Sequence, residues 1–414
     1  MTETYSRRPK VAARDRPWHG AVVATICGPF DMPTVEELEH AIVAVVQNFP
    51  HSRLNWSVDS TTWRWEIPTD QHAGPAGAVV VQRSRSGHTS MGETLGEMVR
   101  DPAIAPLTVF RYEEHFGIRI SHGYGDGRFY DQVLGALMSA ATSGPLAWDT
   151  RPASRFPLAT AVLRTFGRSP KRVLAAVADR PERPAPPVTE YQRSRVPWTP
   201  ARRTMTAFIP DEARQRIIEW GKVSAPGASW FSLLVSLLLR SAELSGLRMA
   251  DDVSIVMDLR RFLPAAAQDL DGNFVVGVPF NLSYRTQPAE IGAKIRACVK
   301  SGRPVAAHAA SALRRRHGGS QPTEIDPAQL PRATFTSIGV APRVDALSFR
   351  GDAPSFMVGS VEPEGSHGLT FLVAETSDTC TVSVSFHENV IDAAVVEDAL
   401  RLARTQPLEV LATW

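Results

Sequence analysis

The segment SHGYGDG, residues 121–127, combines residue types that can support proton transfer. A histidine such as His122 has an ordinary pKa of about 6.5, so it can take a proton from a hydroxyl or an amine at neutral pH and return it. Asp126 can cap the following helix or accept an ion pair. The three glycines allow a tight turn and the close approach of a ligand. Because an isolated histidine is more often structural, the neighbouring elements must decide its role.

The elements around this segment predict that His122 points inward. A strand is expected over residues 117–121, and alternation along it places Ile118, Ile120 and His122 on one face. A helix is expected next, with an apolar stripe of Phe129, Val133, Leu134, Leu137 and Met138. The sequence therefore predicts a histidine held between the end of a buried strand and the start of a buried helix.

Strands and helices alternate along the chain without a strict beta-alpha-beta rhythm, which favours mixed α/β layers over a Rossmann fold. Thr34 and Glu37 form a capping box that opens a helix. Further strands are expected over 21–27, 63–67, 78–82, 107–112, 204–209, 253–257, 274–282, 369–374 and 381–386, and further helices near 211–220, 228–245, 289–302 and 392–404.

Composition excludes several classes of protein. The 414 residues carry 45 Lys and Arg against 43 Asp and Glu, a formal net charge of +2, so any basic site must be local and neither nucleic acid nor an acidic membrane is expected as the main partner. The three cysteines are far apart without a CxxC, which indicates neither a metal site nor a disulfide framework. The longest apolar stretch, residues 230–239, is too short to span a membrane. We expect a cytoplasmic protein without an export signal.

A proline- and arginine-rich segment over residues 181–203 divides the chain into halves of comparable length. Proline at this density favours a stiff, extended course. We therefore expect an N-terminal lobe over 1–180 that carries the histidine, a crossover over 181–203 and a C-terminal lobe over 204–414.

The sequence resembles the superfamily of condensation domains and coenzyme-A-dependent acyltransferases, which includes chloramphenicol acetyltransferase and polyketide-associated acyltransferases. The family pattern is HHxxxDG; its second histidine, Asp and Gly match His122, Asp126 and Gly127, whereas Ser121 replaces the first histidine. In the family that first position usually has a supporting role. The substitution therefore affects the details of the site more than the assignment.

Other landmarks of the family follow in the expected order. FPHSRLNW over 49–56 places Arg53 at the arginine position, and DPAIAPLTVFRY over 101–112 resembles the strand that precedes the motif. VMDLRRF over 256–262 resembles the segment ending in Leu-Arg, and DGNFVVGVPFNLSYR over 271–285 supplies Asn273. The DFGWG motif of some branches is absent; PSFMVGS over 354–360 lies at about its place.

The resemblance implies two chloramphenicol-acetyltransferase-like α/β lobes with a central tunnel and His122 at its midpoint. It implies that His122 is a general base and that the backbone near Gly127 helps to bind the oxyanion. Asp126 would be structural and paired with Arg53 or Arg260, with Asn273 and Ser121 also at the site. An acyl-CoA or phosphopantetheine thioester would be a co-substrate rather than a bound cofactor, with an acyl or peptidyl carrier protein as a possible partner. Two lobes in one chain can form the tunnel, so we expect a monomer.

Three functions remain open. The first is transfer of an acyl group from a thioester to a small-molecule hydroxyl in natural-product metabolism; the second is amide formation by a nonribosomal-peptide-type condensation enzyme. The third is a catalytically silent homologue that binds a partner or shapes an intermediate. Neither HExxH nor GxSxG occurs, so metalloprotease and α/β-hydrolase functions have no motif support. The basic side chains of Lys294, Arg296, Lys300, Arg303 and residues 314–316 could meet a polyanionic donor, although a solvated helix face is the interpretation that we favour.

Overall fold

The computed structural model of the protein describes residues 5–7, 9–68, 78–85, 89–101, 106–149, 151, 156–167, 169–179, 195–314 and 322–413. In the first half the strands are β1 (Tyr5–Arg7), β2 (Val22–Gly28), β3 (Ser57–Asp59), β4 (Arg64–Pro68), β5 (Val79–Gln82), β6 (Leu107–Arg111) and β7 (Phe116–Ser121). The helices of this half are α1 (Val35–Asn48), α2 (Met91–Arg100), α3 (Gly127–Ala141), α4 (Pro157–Phe166) and α5 (Pro170–Ala178).

The second half also mixes strands and helices. Its strands are β8 (Val196–Pro197), β9 (Arg202–Pro210), β10 (Asp252–Asp258), β11 (Val275–Asn281), β12 (Glu324–Ile325), β13 (Arg332–Val340), β14 (Phe356–Ser360), β15 (Gly368–Glu375) and β16 (Thr379–His387). Its helices are α6 (Asp211–Ser224), α7 (Trp230–Leu244), α8 (Pro288–Ser301), α9 (Arg303–Arg314), α10 (Pro342–Asp345), α11 (Ala393–Thr405) and α12 (Pro407–Ala412).

A five-stranded sheet in the order β14-β2-β7-β6-β5 carries the motif segment at the end of β7. β2 and β7 are antiparallel, and Val22 pairs with Ser121. The outer strand β14 comes from the second half of the chain and pairs with β2 from Phe356 opposite Gly28 to Ser360 opposite Ala24. The two halves therefore share this sheet.

A six-stranded sheet in the order β11-β10-β13-β15-β16-β9 forms the core of the second half. Hydrogen bonds join it to β14: the Thr204 hydroxyl donates to the Ser360 hydroxyl (2.7 Å), and the Gly359 amide donates to the Ser383 hydroxyl (3.2 Å). β14 thus lies between the sheets, with backbone pairing on one side and side-chain hydrogen bonds on the other.

Local sequence signals explain the helices that support the site. The side chain of Thr34 accepts from the Glu37 amide, and Glu37 accepts from the Thr34 amide, so α1 begins with the predicted capping box. α3 buries Phe129, Val133 and Leu137 in the core beneath the five-stranded sheet. Such an apolar stripe fixes the rotation of α3 about its axis and thereby the position of its first turn.

The prediction of mixed α/β layers is confirmed. Several elements were not predicted, among them α2, β13 and β14. The division into lobes at 181–203 stays a prediction, and residues 181–194 of the crossover lie outside the described residues. In the part of the chain that the structure describes, no helix combines the length and apolarity needed to cross a membrane.

Candidate active site

The backbone around His122 is fixed by hydrogen bonds at the end of β7. The amide of His122 donates to the carbonyl of Ala21 (2.8 Å), which continues the pairing with β2 by one residue. The hydroxyl of Ser121 donates to the carbonyl of His19 (2.9 Å) and accepts from the amide of Gly123 (3.2 Å). Ser121, which replaces the first histidine of the family pattern, therefore ties the motif loop to the segment before β2.

The imidazole of His122 lies between two aromatic rings. It stacks on Trp18 with 4.4 Å between centroids and an interplanar angle of 23°, and it meets Tyr130 edge to face at 5.8 Å. Nδ1 is buried and has no hydrogen-bond partner among the described residues. The half-buried side chain lines a cavity. Because Nδ1 is buried, Nε2 is the nitrogen that can form a hydrogen bond with a substrate in this cavity.

Burial lowers the pKa of His122 below its ordinary value of 6.5, and this effect outweighs the nearby Asp126 carboxylate and the Asn273 side chain, which both raise the pKa. Removing an imidazolium from water is unfavourable, so the neutral form is preferred. A neutral imidazole at pH 7 can accept a proton, which is the state that a general base requires.

Asp126 forms a buried ion pair with Arg260. Its Oδ2 accepts from Arg260 Nη1 (2.7 Å) and from the backbone amide of Phe274 (3.0 Å), and the two charged side chains are 3% and 5% exposed. Arg260 also donates to the carbonyls of Leu270 and Gly272 (both 3.1 Å). These contacts anchor the start of α3 to the second half of the chain. Although Asp126 precedes α3, its side chain makes no capping hydrogen bond.

Arg53 pairs with a different carboxylate. Its Nη2 lies 2.9 Å from Asp15 Oδ2, and its Nη1 donates to the carbonyl of Tyr124 in the motif loop (3.1 Å). Asp15 is fully buried, and the charges of Arg53 and Arg14 help to hold its pKa below the ordinary value although burial itself acts in the opposite direction. Of the two arginines considered as partners of Asp126, Arg260 therefore forms the ion pair with Asp126, whereas Arg53 pairs with Asp15.

Asn273 links these groups to the histidine. Its backbone amide donates to Asp15 Oδ1 (2.9 Å), and its side-chain amide donates to the carbonyl of His122 (2.8 Å). The segment before β2, the motif loop and the second half of the chain meet at this residue. Asn273 therefore contacts the backbone of the candidate base and can position it.

A cavity of about 1980 Å³ adjoins the histidine and is lined by both halves of the chain. From the first half come Trp18, His122, Asp126 and Gly127, and from the second half come strand residues such as Thr336 and helix residues of α9. Gly127 is the first residue of α3, and a Cβ there would lie 3.2 Å from Ile338 Cγ1. A side chain at position 127 would thus crowd this wall of the cavity.

The structure brings the predicted site residues together in two layers. His122, Asp126 and Gly127 line the cavity. The supporting residues lie behind them: Ser121, Arg53, Arg260 and Asn273.

Sequence reasoning missed Arg14, Asp15, Trp18 and His19, which lie before the first long strand. Asp15 supplies the buried carboxylate for Arg53, and Trp18 supplies the ring against His122. The segment RDRPWHG, residues 14–20, did contain a signal, because an aromatic and two opposite charges so close to a core strand are unusual for a solvated terminus.

Three of the basic residues considered for a polyanionic donor make separate contacts in the described part of the chain. Lys294 pairs with Glu290 (2.9 Å), and Arg296 donates to the carbonyl of Gly227 (3.1 Å). Arg303 is buried, pairs with Asp179 (3.4 Å) and lines the cavity. Residues 315 and 316 lie outside the described residues.

No protein-family model and no curated protein matches the sequence, whereas solved structures match over its full length. The condensation domain of the monacolin K polyketide synthase MokA has a TM-score of 0.63 at 14% identity, covering 98% of this chain and 96% of that chain. Polyketide synthase associated protein 5 from Mycobacterium tuberculosis has a TM-score of 0.56 at 14% identity, covering 98% and 99%.

The TRI3 trichothecene 15-O-acetyltransferase from Fusarium sporotrichioides has a TM-score of 0.60 at 12% identity, covering 98% of this chain and 95% of that chain. Because these sequence identities are low, the comparison supports a shared fold and carries no information about substrates. The chain has the fold shared by condensation domains and chloramphenicol-acetyltransferase-like acetyltransferases.

Proposed function

We propose that the protein is an acyltransferase that moves an acyl group from a thioester to the hydroxyl of a small molecule, with His122 as general base. The observation that carries this proposal is a half-buried imidazole, biased to its neutral form, on the wall of a cavity that both halves line. A base of this kind needs an acceptor and an electrophile on the same side of the ring. The cavity offers room for both.

The reaction proceeds by direct transfer. His122 Nε2 takes the proton of the acceptor hydroxyl while the oxygen attacks the thioester carbonyl. When the tetrahedral intermediate collapses, the carbon–sulfur bond breaks and the imidazolium returns the proton to the leaving sulfur. The products are an ester and a free thiol, and no acyl-enzyme forms.

The oxyanion of the intermediate needs a hydrogen-bond donor. The first turn of a helix has backbone N–H groups without partners inside the helix, and Gly127 begins α3 on the cavity wall. We assign the oxyanion contact to the backbone at Gly127, where a helix N-terminus also favours negative charge. Asp126 takes no part in proton transfer because Arg260 holds its carboxylate as an ion pair.

The donor is a coenzyme A or a carrier-protein phosphopantetheine thioester, and the acceptor belongs to natural-product metabolism. The neighbours support this class because their names include domains of a polyketide synthase, of tyrocidine synthetase and of the calcium-dependent antibiotic synthetase. TRI3 is named as an O-acetyltransferase, which favours an oxygen acceptor. The first condensation domain of the calcium-dependent antibiotic synthetase favours the second candidate, an amide-forming condensation enzyme with an amine acceptor.

A panel of acyl-CoA and acyl-carrier-protein donors, incubated with hydroxyl and amine acceptors, tests the proposal when thioester loss and product mass are followed by mass spectrometry. Ester formation with a CoA donor supports the proposal, and strict dependence on a carrier with an amine acceptor supports the condensation enzyme. If no donor is consumed, the protein is a catalytically silent homologue and the proposal fails.

A further inference from the structure

The helix pair α4–α5, described over 156–167 and 169–179, exposes large apolar side chains. Phe156, Leu163 and Leu174 are between 67% and 72% exposed, and Val173 and Val177 are about half exposed. The other exposed large apolar side chains of the described residues are spread along the chain, one to an element or loop. Scattered exposure is ordinary, but five such side chains within 22 residues, on two helices that contact each other, are typical of an interaction surface.

This surface is held firmly to the body of the protein on its other side. Ala161 and Thr165 of α4 are buried, and a Cβ on Gly302 would lie 2.3 Å from Thr165 Cγ2, so α4 packs closely against the turn between α8 and α9. Asp179, just beyond α5, pairs with Arg303 (3.4 Å) and accepts from the Ser301 hydroxyl (3.1 Å). The apolar side chains are therefore presented on an anchored element.

The charges on the helix pair complement an anionic surface. Arg164, Lys171 and Arg172 are exposed, whereas the acidic residue of the described pair, Asp179, is engaged with Arg303 and Ser301. The net charge of the whole chain is only +2, so this is a local concentration of positive charge. Helices that lie in the interface of a membrane combine an apolar face with Lys and Arg on the polar face.

We propose that the α4–α5 surface docks on an anionic lipid bilayer. Leucine, valine and phenylalanine side chains enter the boundary between headgroups and acyl chains, and the basic side chains contact the headgroup phosphates. α5 also contributes Ala176 to the wall of the cavity, while the next residue, Val177, is exposed. Docking through α5 places that end of the cavity beside the bilayer, from which an apolar substrate can enter.

Co-sedimentation of the full chain with vesicles tests this proposal without using enzymatic activity, so its outcome is independent of the acyl-transfer assignment. We use vesicles of phosphatidylcholine alone and of phosphatidylcholine mixed with phosphatidylglycerol. The expected result is binding to the mixed vesicles that weakens with added salt. The Lys171→Glu variant should bind about fivefold more weakly, or worse, because it removes one cation and adds an anion.

A double variant, Leu163→Asp with Leu174→Asp, should lose binding by at least about tenfold, since two apolar anchors are replaced by charges. The matched control is Val223→Asp, which places the same charge at an exposed valine on α6 and should bind like the wild type. Circular dichroism confirms that each variant is folded.

Three results would overturn the proposal. The first is that the wild type binds neither kind of vesicle. The second is that the double variant and the Val223→Asp control bind the mixed vesicles equally well. The third is a wild-type dimer by light scattering that the double substitution dissociates, which would assign the surface to a second copy of the chain.

Discussion

The indole of Trp18 stacks on the imidazole of His122, with 4.4 Å between the ring centroids. Trp18 belongs to a short 3-10 helix, Arg16–Trp18, that precedes the first long strand of the core. The stacking shields one face of the candidate base from water. The same contact restricts rotation of the imidazole, whose Nδ1 has no hydrogen-bond partner among the described residues.

Replacing Trp18 by Ala should raise the pKa of His122 towards 6.5, because burial is the main cause of its lowering. The acid limb of kcat/KM, which reports the free enzyme, should move to higher pH by the same amount. The rate at the optimum should fall by roughly tenfold, in keeping with the energy of one aromatic pair. NMR titration of the His122 ring measures the pKa directly.

Trp18→Phe is the matched control because it keeps an aromatic ring against the imidazole. It should retain most of the rate and a low pKa for His122. An unchanged pKa in Trp18→Ala would show that the indole neither shields nor holds the ring.

His122→Ala should reduce turnover roughly 100- to 10,000-fold, the usual contribution of a general base. The fold should persist, because the side chain is only half-buried and the hydrogen bonds at this position are made by its backbone amide and carbonyl. Single-turnover assays measure the loss of rate, and thermal melting tests whether the variant remains folded. Wild-type turnover in this variant would remove His122 from the mechanism.

The buried pair Asp126–Arg260 should matter far more for stability than an exposed pair. Asp126→Asn removes the buried carboxylate of the pair and leaves Arg260 only the half-exposed Asp258 carboxylate at 3.5 Å, so it should cost about 3 to 5 kcal/mol of unfolding free energy. Asp398→Asn breaks the exposed pair with Arg401 (2.9 Å) and should cost no more than about 0.5 kcal/mol. Urea denaturation of both variants measures the loss of unfolding free energy in each. Equal losses in the two variants would contradict this prediction.

Stability should fall as the pH is lowered from 6.5 towards 4. Burial, aided by the charge of Arg202, lowers the pKa of His387 from 6.5 to about 4, so the unfolded chain binds more protons than the folded one in this range. Nδ1 of His387 accepts from the amide of Ala201 (3.1 Å), which requires the unprotonated nitrogen.

His387→Gln should therefore flatten the dependence of the melting temperature on pH over this interval. His51→Gln, at an exposed position, is the control and should leave the slope unchanged. A slope that is the same in all three proteins would mean that other groups, such as the buried His115, determine the acid sensitivity.

Signals confined to a few residues predicted local structure well. The capping box of Thr34 and Glu37 is present as expected. Alternation along β7 predicted an inward-pointing imidazole at residue 122, and His122 lines the cavity. The equivalent box of Ser90 and Glu93 opens α2 and could have been found by the same rule. β14 carried no such signal, because a five-residue strand buried on both faces has no alternation.

Contacts between distant residues were the part that sequence could not determine. Asp126 and Arg260 are 134 residues apart, and Arg53 offered an equally suitable charge. The choice depended on Asp15, which pairs with Arg53 from the segment before β2, for which the sequence analysis predicted no role. The motif therefore identified the candidate base, whereas the groups that hold it became visible only in the fold.

The large sequence separation between β2 and its partner strand β14 has a consequence for folding during translation. β2 leaves the ribosome more than 300 residues before its partner on one side, Phe356–Ser360. Until then one edge of β2 offers unpaired N–H and C=O groups to any neighbouring chain. The nascent protein is therefore most exposed to misassociation until β14 has been made, and a chain shortened ahead of residue 356 would keep that edge open permanently.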